Sequence, residues 1–491
     1  MPDLDKFFSP RSLAFLGASA DHGKWGYRVL SNIVSGGFQG KIYPINPKGG
    51  EILGIPVFQS VSDVPEVPDL AIIVVPPPSM IDTIRECVNK GVKAGVVITA
   101  GFAELGEVGS KLQQEMVELA RKGGMSLIGP NCFGILSTPA KLYSQMPRIF
   151  PPIGPIGVVS QSGNVGLTIS RRAMAIDFGC SRVISTGNEA DLHAEDFVQY
   201  LASDEQTKVI LSYIEGFKDG RRFFEIARQA SREKPIVMIK VGETEAGASA
   251  AKSHTAALSG SDVIFDAMCR QAGIIRVHNL NELMNVGVGF ICNPLPKGRR
   301  VGIVTLGGGW GVLAADACAK LGLDVVKLSD EILNELDSFL PAWWSRNNPI
   351  DLVAGAMGEE MLRVIEILAR WDKTDSIISL GIPVPPIAFA AYPKDEEERK
   401  QRVQVVKDAF INAFQRIKEI SEKYGKPIIT AAEMPLPQGE HSLEQDIIRG
   451  VSKLNMHSYT MPDEAAMVLR AMAQYSEYLQ RLQVPECMKG L

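Results

Sequence analysis

Short runs of consecutive apolar residues alternate along the chain with longer stretches in which apolar positions recur every three or four residues. In the first section the runs SLAFLGAS, KIYPINP, DLAIIVVPP, AGVVITAG and MSLIGPN are separated by helical patterns, two of which close near Ser35 and Lys90. Unbroken apolar runs of this length fit strands covered on both faces, so the section is predicted to form a mainly parallel sheet flanked by helices. Pro147, Pro151, Pro152 and Pro155 mark a linker, after which PIGVVSQSG opens a second series through RVIS, KVILSYIEG and PIVMIKVG. A third begins with RVGIVTLGGG, beyond NPLPKGRR. The predicted organisation is α/β throughout, with a Rossmann-like domain over 1–148 and further domains over 149–294 and 295–491. Near the end, MPDEAAMVLRAMAQYSEYLQRL reads as a structural amphipathic helix with Pro462 at its start.

The second and third series read as copies of one unit. IGVVSQSGNVGLTISRRAMAIDFGC aligns without gaps to VGIVTLGGGWGVLAADACAKLGLDV, placing Gly157, Gly163 and Gly166 on Gly302, Gly308 and Gly311. GNEADL (Gly187 to Leu192) resembles NNPIDL (Asn347 to Leu352), and LSYIEGF resembles ISLGIPV at the next strand. So long a period fits a duplicated flavodoxin-like domain rather than a solenoid. The copies differ where chemistry would need charge, because Glu215 has no acidic counterpart in the second.

Composition narrows the function classes. At roughly 150 residues per domain, 491 residues suggest about three domains. A formal charge of −5 is too mild to point to nucleic acid or an anionic membrane, so an anionic ligand must be held by local features. Seven scattered cysteines without a C-x-x-C pair disfavour a disulfide framework and a structural zinc site, and fit a reducing cytosol. No apolar stretch reaches the ~18 residues of a spanning helix. The expectation is a soluble cytoplasmic protein with no membrane or nucleic-acid partner and no metal site of its own.

Phosphate chemistry is suggested at several strand ends. Gly17-Ala18-Ser19 leads from a strand into a glycine-containing loop and helix, where backbone N–H groups and the helix dipole can hold phosphate. A nicotinamide site would show G-x-G-x-x-G and an acid after the second strand. Here Lys48 stands in that place, which suits a ligand with extra phosphate such as CoA. The strand ends bearing Val75 and Pro76, Thr99, Ala100 and Gly101, and Asn131 would line the same edge. Cys132 reads as a small packed residue. In the second series, Ser160, Ser162, Gly163 and Asn164 form another candidate phosphate cradle. His254 lies among very small residues in GASAAKSHTAALSGSD, and a neutral imidazole can accept a phosphoryl group. Glu215, at the end of KVILSYIEG, would accept a hydrogen bond from the second ring nitrogen.

Taken in order, GAS, the Asn46-Pro47 turn, GPN, VSQSGN, GNEADL, SHT with GSD, and RQAGIIRV resemble the alpha subunits of ADP-forming acetyl-CoA synthetases, relatives of the succinyl-CoA synthetase alpha chain. The resemblance covers nearly the whole chain. It implies a CoA-binding first domain and a reversible reaction through an acyl phosphate and a phosphohistidine at His254, with Glu215 as its partner. It also implies a separate or fused ATP-grasp component that binds ATP or ADP with Mg2+; the chain itself shows no Walker A pattern. Inorganic phosphate, a small carboxylic acid and a hetero-oligomer complete the expectation. Two departures are TLGGGWG, whose Trp310 could narrow a pocket, and HTAAL after the histidine where HTG is commoner. A non-catalytic CoA-binding scaffold and a nicotinamide dehydrogenase are the alternatives. The first is opposed by the intact His254 and Glu215, the second by the missing fingerprint.

Overall fold

In a computed structural model that describes residues 3–247, 262–353, 358–384, 396–433 and 441–482, the runs of the first section become β1 (Ser12–Leu16), β2 (Lys41–Ile45), β3 (Leu70–Ile73), β4 (Ala94–Val97) and β5 (Ser126–Ile128). They pair in the order β2-β1-β3-β4-β5, all parallel. Strands β1, β3 and β4 are buried along their whole length, which is why their sequences do not alternate. Leu13 and Phe15 of β1 join one core with Val29, Leu30 and Ile33 of the helix Trp25–Ser35. Ala14 and Leu16 join another with Met80, Ile84, Met116 and Ala120 from helices Met80–Lys90 and Glu107–Lys122.

The chain divides into two compact units, 1–280 and 281–491. The first unit also holds a second sheet built from β6 (Gly134–Ser137), β7 (Leu142–Gln145), β8 (Ile153–Ser160), β9 (Cys180–Ser185), β10 (Val209–Ile214), β11 (Ile236–Lys240) and β12 (Ile275–Arg276). Its order is β12-β11-β10-β8-β9-β6-β7. Strands β8 to β12 are parallel, and the hairpin β6–β7 adds on antiparallel through β9. That hairpin precedes the proline-rich stretch in sequence but hydrogen-bonds to the second sheet. Phe8 stacks on Tyr200 with centroids 4.7 Å apart and meets Phe197 edge-on. One apolar core therefore runs from the first sheet into the second within this unit.

In each sheet the strand order reverses beside the first strand of its series. The chain leaves β1 to build β2 on one side and returns to build β3 on the other; β8, β9 and β10 repeat the pattern. Ligands of open parallel sheets bind at the carboxyl ends of strands beside such a reversal. The residues after β1 and β3, and those after β8 and β10, occupy these two places.

In the second unit, β13 (Arg300–Thr305), β14 (Asp324–Val325), β15 (Ile350–Asp351), β16 (Ser376–Leu380), β17 (Ile428–Ala431) and β18 (Ser458–Tyr459) form a parallel sheet ordered β14-β13-β16-β17-β18, with β15 also on β13. The repeat is visible in detail. Ser160 Oγ donates to the Ser162 carbonyl at 2.6 Å, and the aligned Thr305 Oγ1 donates to the Gly307 carbonyl at 2.8 Å. Trp310 is half-buried in the first turn of the helix Gly308–Lys320. No helix among the described residues is long and apolar enough to cross a membrane.

Candidate functional site

The first edge is knitted together strand end by strand end. Gly17 has φ 90°, and a Cβ there would stand 2.7 Å from the Val74 carbonyl oxygen, so glycine keeps the crevice between β1 and β3 open. The Gly17 and Ala18 N–H groups both donate to the Ile45 carbonyl. Donors that this loop can offer a ligand therefore begin at Ser19. Asn46 staples the next loop in place, donating from Nδ2 to the Ala18 carbonyl at 2.7 Å and accepting from the Lys48 N–H at 2.9 Å. The Lys48 side chain stays exposed on that edge. Val75 is half-buried and Pro76 exposed. Thr99 Oγ1 donates to the Val75 carbonyl at 2.8 Å, and the Asn131 N–H donates to the Thr99 carbonyl at 2.9 Å. Ala100 is exposed beside Gly101, whose φ is 112°. Cys132 is buried, its Sγ donates to the Val97 carbonyl, and burial pushes its thiol up to about 12. A thiol held protonated in this way packs rather than reacts.

The second edge brings together residues far apart in sequence. Ser160 is fully buried and shapes the turn, while Ser162 precedes the helix Gly163–Ala175 and makes no side-chain cap. The first N–H groups of a helix have no intrahelical acceptor, and the dipole there favours an anion. A Cβ on Gly163 would lie 2.2 Å from the Phe133 ring, so only glycine fits at this position. Asn164 is exposed in the first turn. Ser160 pairs with Tyr213 across β8 and β10, and the Gln161 N–H donates to the Tyr213 carbonyl at 3.1 Å. This register sets the buried Glu215, at 7% exposure, against the turn. Burial, followed by the Glu215 charge, pushes the neighbouring Tyr213 hydroxyl up to about 12.

His254 lies outside the described residues. The described chain on either side of it converges on one cation. Arg276, with only 8% of its side chain exposed, bonds Glu243 at 2.8 Å on the N-terminal side and Asp262 at 2.7 Å and Asp266 at 2.9 Å on the C-terminal side. Its guanidinium also sits over the Phe265 ring. Arg276 and Asp262 belong to the RQAGIIRV and GSD segments, so these ion pairs join two segments that follow the histidine in the sequence.

Three residues with clear roles at these edges escaped the sequence reading. Gln161, Asn188 and Glu189 sit inside VSQSGN and GNEADL, but their partners lie tens of residues away. Asn188 Oδ1 accepts from Asn131 Nδ2, and its own Nδ2 donates to Glu104 and Gln113. Glu104 in turn accepts from the Gly101 and Phe102 N–H groups. Burial works to raise the Glu104 carboxyl, but Asn188 and these backbone donors hold it below the usual range.

Glu189 is 4% exposed, and burial drives its carboxyl from an ordinary 4.5 up to about 7. Between those values the folded chain keeps a proton that the unfolded chain has released. This contribution to stability is therefore full below about 4.5 and is lost as pH rises through about 7, amounting to roughly 3 kcal/mol. Glu189→Gln cannot titrate. The melting temperature of wild type minus that of Glu189→Gln is expected to fall from pH 5 to pH 8, and a flat difference would contradict the assignment.

Three segments of the chain match known families. Residues 11–138 match the CoA binding domain, 153–290 the succinyl-CoA ligase like flavodoxin domain, and 301–416 the ligase-CoA domain. The chain is 40% identical over 433 residues to the alpha subunit of ADP-forming acetate–CoA ligase II of Pyrococcus furiosus, covering 86% of this chain and 94% of that one. It is 33% identical over 475 residues to the ADP-forming 4-hydroxybutyrate–CoA ligase of Nitrosopumilus maritimus, spanning 96% of this chain and 64% of that longer one. It also resembles the solved dinucleotide forming acetyl-coenzyme A synthetase 1 of Ca. Korarchaeum cryptofilum, in complex with phosphate and ADP, with a TM-score of 0.83, 31% identity, and coverage of 98% and 99% of the two chains. A Rossmann-like CoA-binding domain followed by duplicated flavodoxin-like domains, together with these relatives, settles the family: the chain belongs to the alpha subunits of the ADP-forming acetate–CoA ligases.

Proposed function

We propose that the chain is the alpha component of an acyl-CoA synthetase that reversibly converts acyl-CoA, phosphate and ADP into a carboxylic acid, CoA and ATP. The observation that carries this reading is the meeting of the Ser160–Asn164 turn and the buried Glu215 at the strand-order reversal of the second sheet. CoA lies along the first edge, with Ser19 and Lys48 facing its phosphates. In the direction of ATP formation, a phosphate oxygen attacks the thioester carbonyl and the C–S bond breaks. The proton of the attacking oxygen passes to the thiolate, leaving acyl phosphate and CoA. The neutral ring nitrogen of His254 then attacks phosphorus, the P–O bond to the acyl group breaks, and the carboxylate departs. Transfer from the ring to the terminal oxygen of ADP breaks the P–N bond and restores the histidine. Glu215 accepts a hydrogen bond from the other ring nitrogen, which fixes the tautomer and favours the phosphorylated, cationic ring.

The nucleotide and its Mg2+ are held by an ATP-grasp beta partner, so the working enzyme is a cytoplasmic hetero-oligomer. Relatives named for acetate and for 4-hydroxybutyrate support a small carboxylic acid as substrate. Calorimetry tests the CoA assignment. Binding should weaken with salt, and Lys48→Glu should lower affinity on the order of tenfold, because a surface cation is replaced by an anion. Equal or tighter binding of NADH than of CoA would overturn it.

A further inference from the structure

We propose that Gln161 and Glu189 are positioning residues that hold the Glu215 strand end against the phosphate-receiving turn, an inference that rests on the function proposed above. The Gln161 amide is fully engaged. Its Oε1 accepts from the Glu215 N–H at 2.6 Å and the Gly216 N–H at 3.1 Å, while its Nε2 donates to the Gly216 carbonyl at 2.8 Å and Glu189 Oε2 at 2.9 Å. Turning the amide over would set donor against donor on one side and acceptor against acceptor on the other, so its orientation is fixed. Glu189 is fixed as well, since Oε1 accepts from the Ala194 N–H at 3.0 Å, in the first turn of the helix Ala194–Ser203. Its backbone has φ 51°, a conformation that a non-glycine residue adopts only where its surroundings demand it.

The duplicated unit supplies an internal comparison. In the second copy the hydroxyl-to-carbonyl turn and its helix are retained, yet Gln161 corresponds to Leu306, Glu189 to Pro349 and Glu215 to the buried Ile382. The turn alone needs none of the three. They occur together in the copy that carries the carboxylate and are replaced together in the other, as expected of parts that serve one function.

The test uses the full chain with an ATP-grasp beta protein, labelled from radioactive phosphate and acetyl-CoA. Gln161→Ala should slow the initial labelling rate about tenfold or more through misplacement of Glu215, while CoA affinity stays within about twofold. At pH 8, where Glu189 is ionised, Glu189→Gln should also slow labelling, because its NH2 must then face a donor, either the Gln161 NH2 or the Ala194 N–H. In Q161E/E189Q a carboxylate again faces an amide, so the double variant should label at least about threefold faster than Gln161→Glu alone. Labelling of Gln161→Ala at the wild-type rate, or a double variant no faster than Gln161→Glu, overturns the proposal. If Gln161→Ala fails to fold, the comparison of Gln161→Glu with the double variant decides alone. Absence of label in wild type defeats the underlying function as well, whereas label in wild type with unaffected variants defeats only this inference.

Discussion

His254→Ala, combined with an ATP-grasp beta protein, is expected to form acyl-CoA at least about a thousandfold more slowly than wild type, because the proposed reaction passes the phosphoryl group through this ring. None of the residues assigned to CoA on the first edge is changed, so CoA binding should survive and separate a lost carrier from a lost fold. Glu215→Gln should be milder. Its burial permits an isosteric amide, but a neutral group supports a cationic phosphorylated ring less well, and the phosphorylated fraction should fall about tenfold. A His254→Ala protein that retains synthesis would remove the histidine from the reaction.

The second large effect is all-or-none. Purified by itself, the chain should show no ATP-dependent acyl-CoA formation with any acid, and activity should appear when a beta-type ATP-grasp protein is added. This expectation follows from membership among alpha subunits. Robust turnover by the isolated chain would place the nucleotide site within it.

Much of this was legible in the sequence, for identifiable reasons. Parallel strands buried on both faces leave unbroken apolar runs, so β1, β3, β4 and the central strands of the second sheet could be read directly. The loops at their carboxyl ends could then be assigned to one edge from topology alone. The repeat could also be read because its glycines meet strict packing limits. A Cβ on Gly157 would come within 2.8 Å of Thr207, and one on Gly302 within 3.0 Å of Leu368. What could not be read depends on long-range pairing. The hairpin Gly134–Gln145 joins the second sheet through β9, some forty residues later, and nothing local announces that. Gln161 could not be matched to Glu189 and Glu215 without the β8–β10 register, nor Asn188 to Asn131 without the approach of the two loops. Lys48 could be placed on its edge, but the loss of the Gly17 and Ala18 donors to Ile45 could not be foreseen, because that bond crosses from one strand end to the next.

The central claim, that a histidine of this chain carries the phosphoryl group, is tested most directly by the chemistry of the bond itself. The complex, labelled from ATP or from acyl-CoA with inorganic phosphate, should carry its label on the peptide containing His254. As a phosphoramidate, the label should be lost in acid and retained in alkali. Label that survives acid, maps to a serine ester, or persists in His254→Ala would contradict the account.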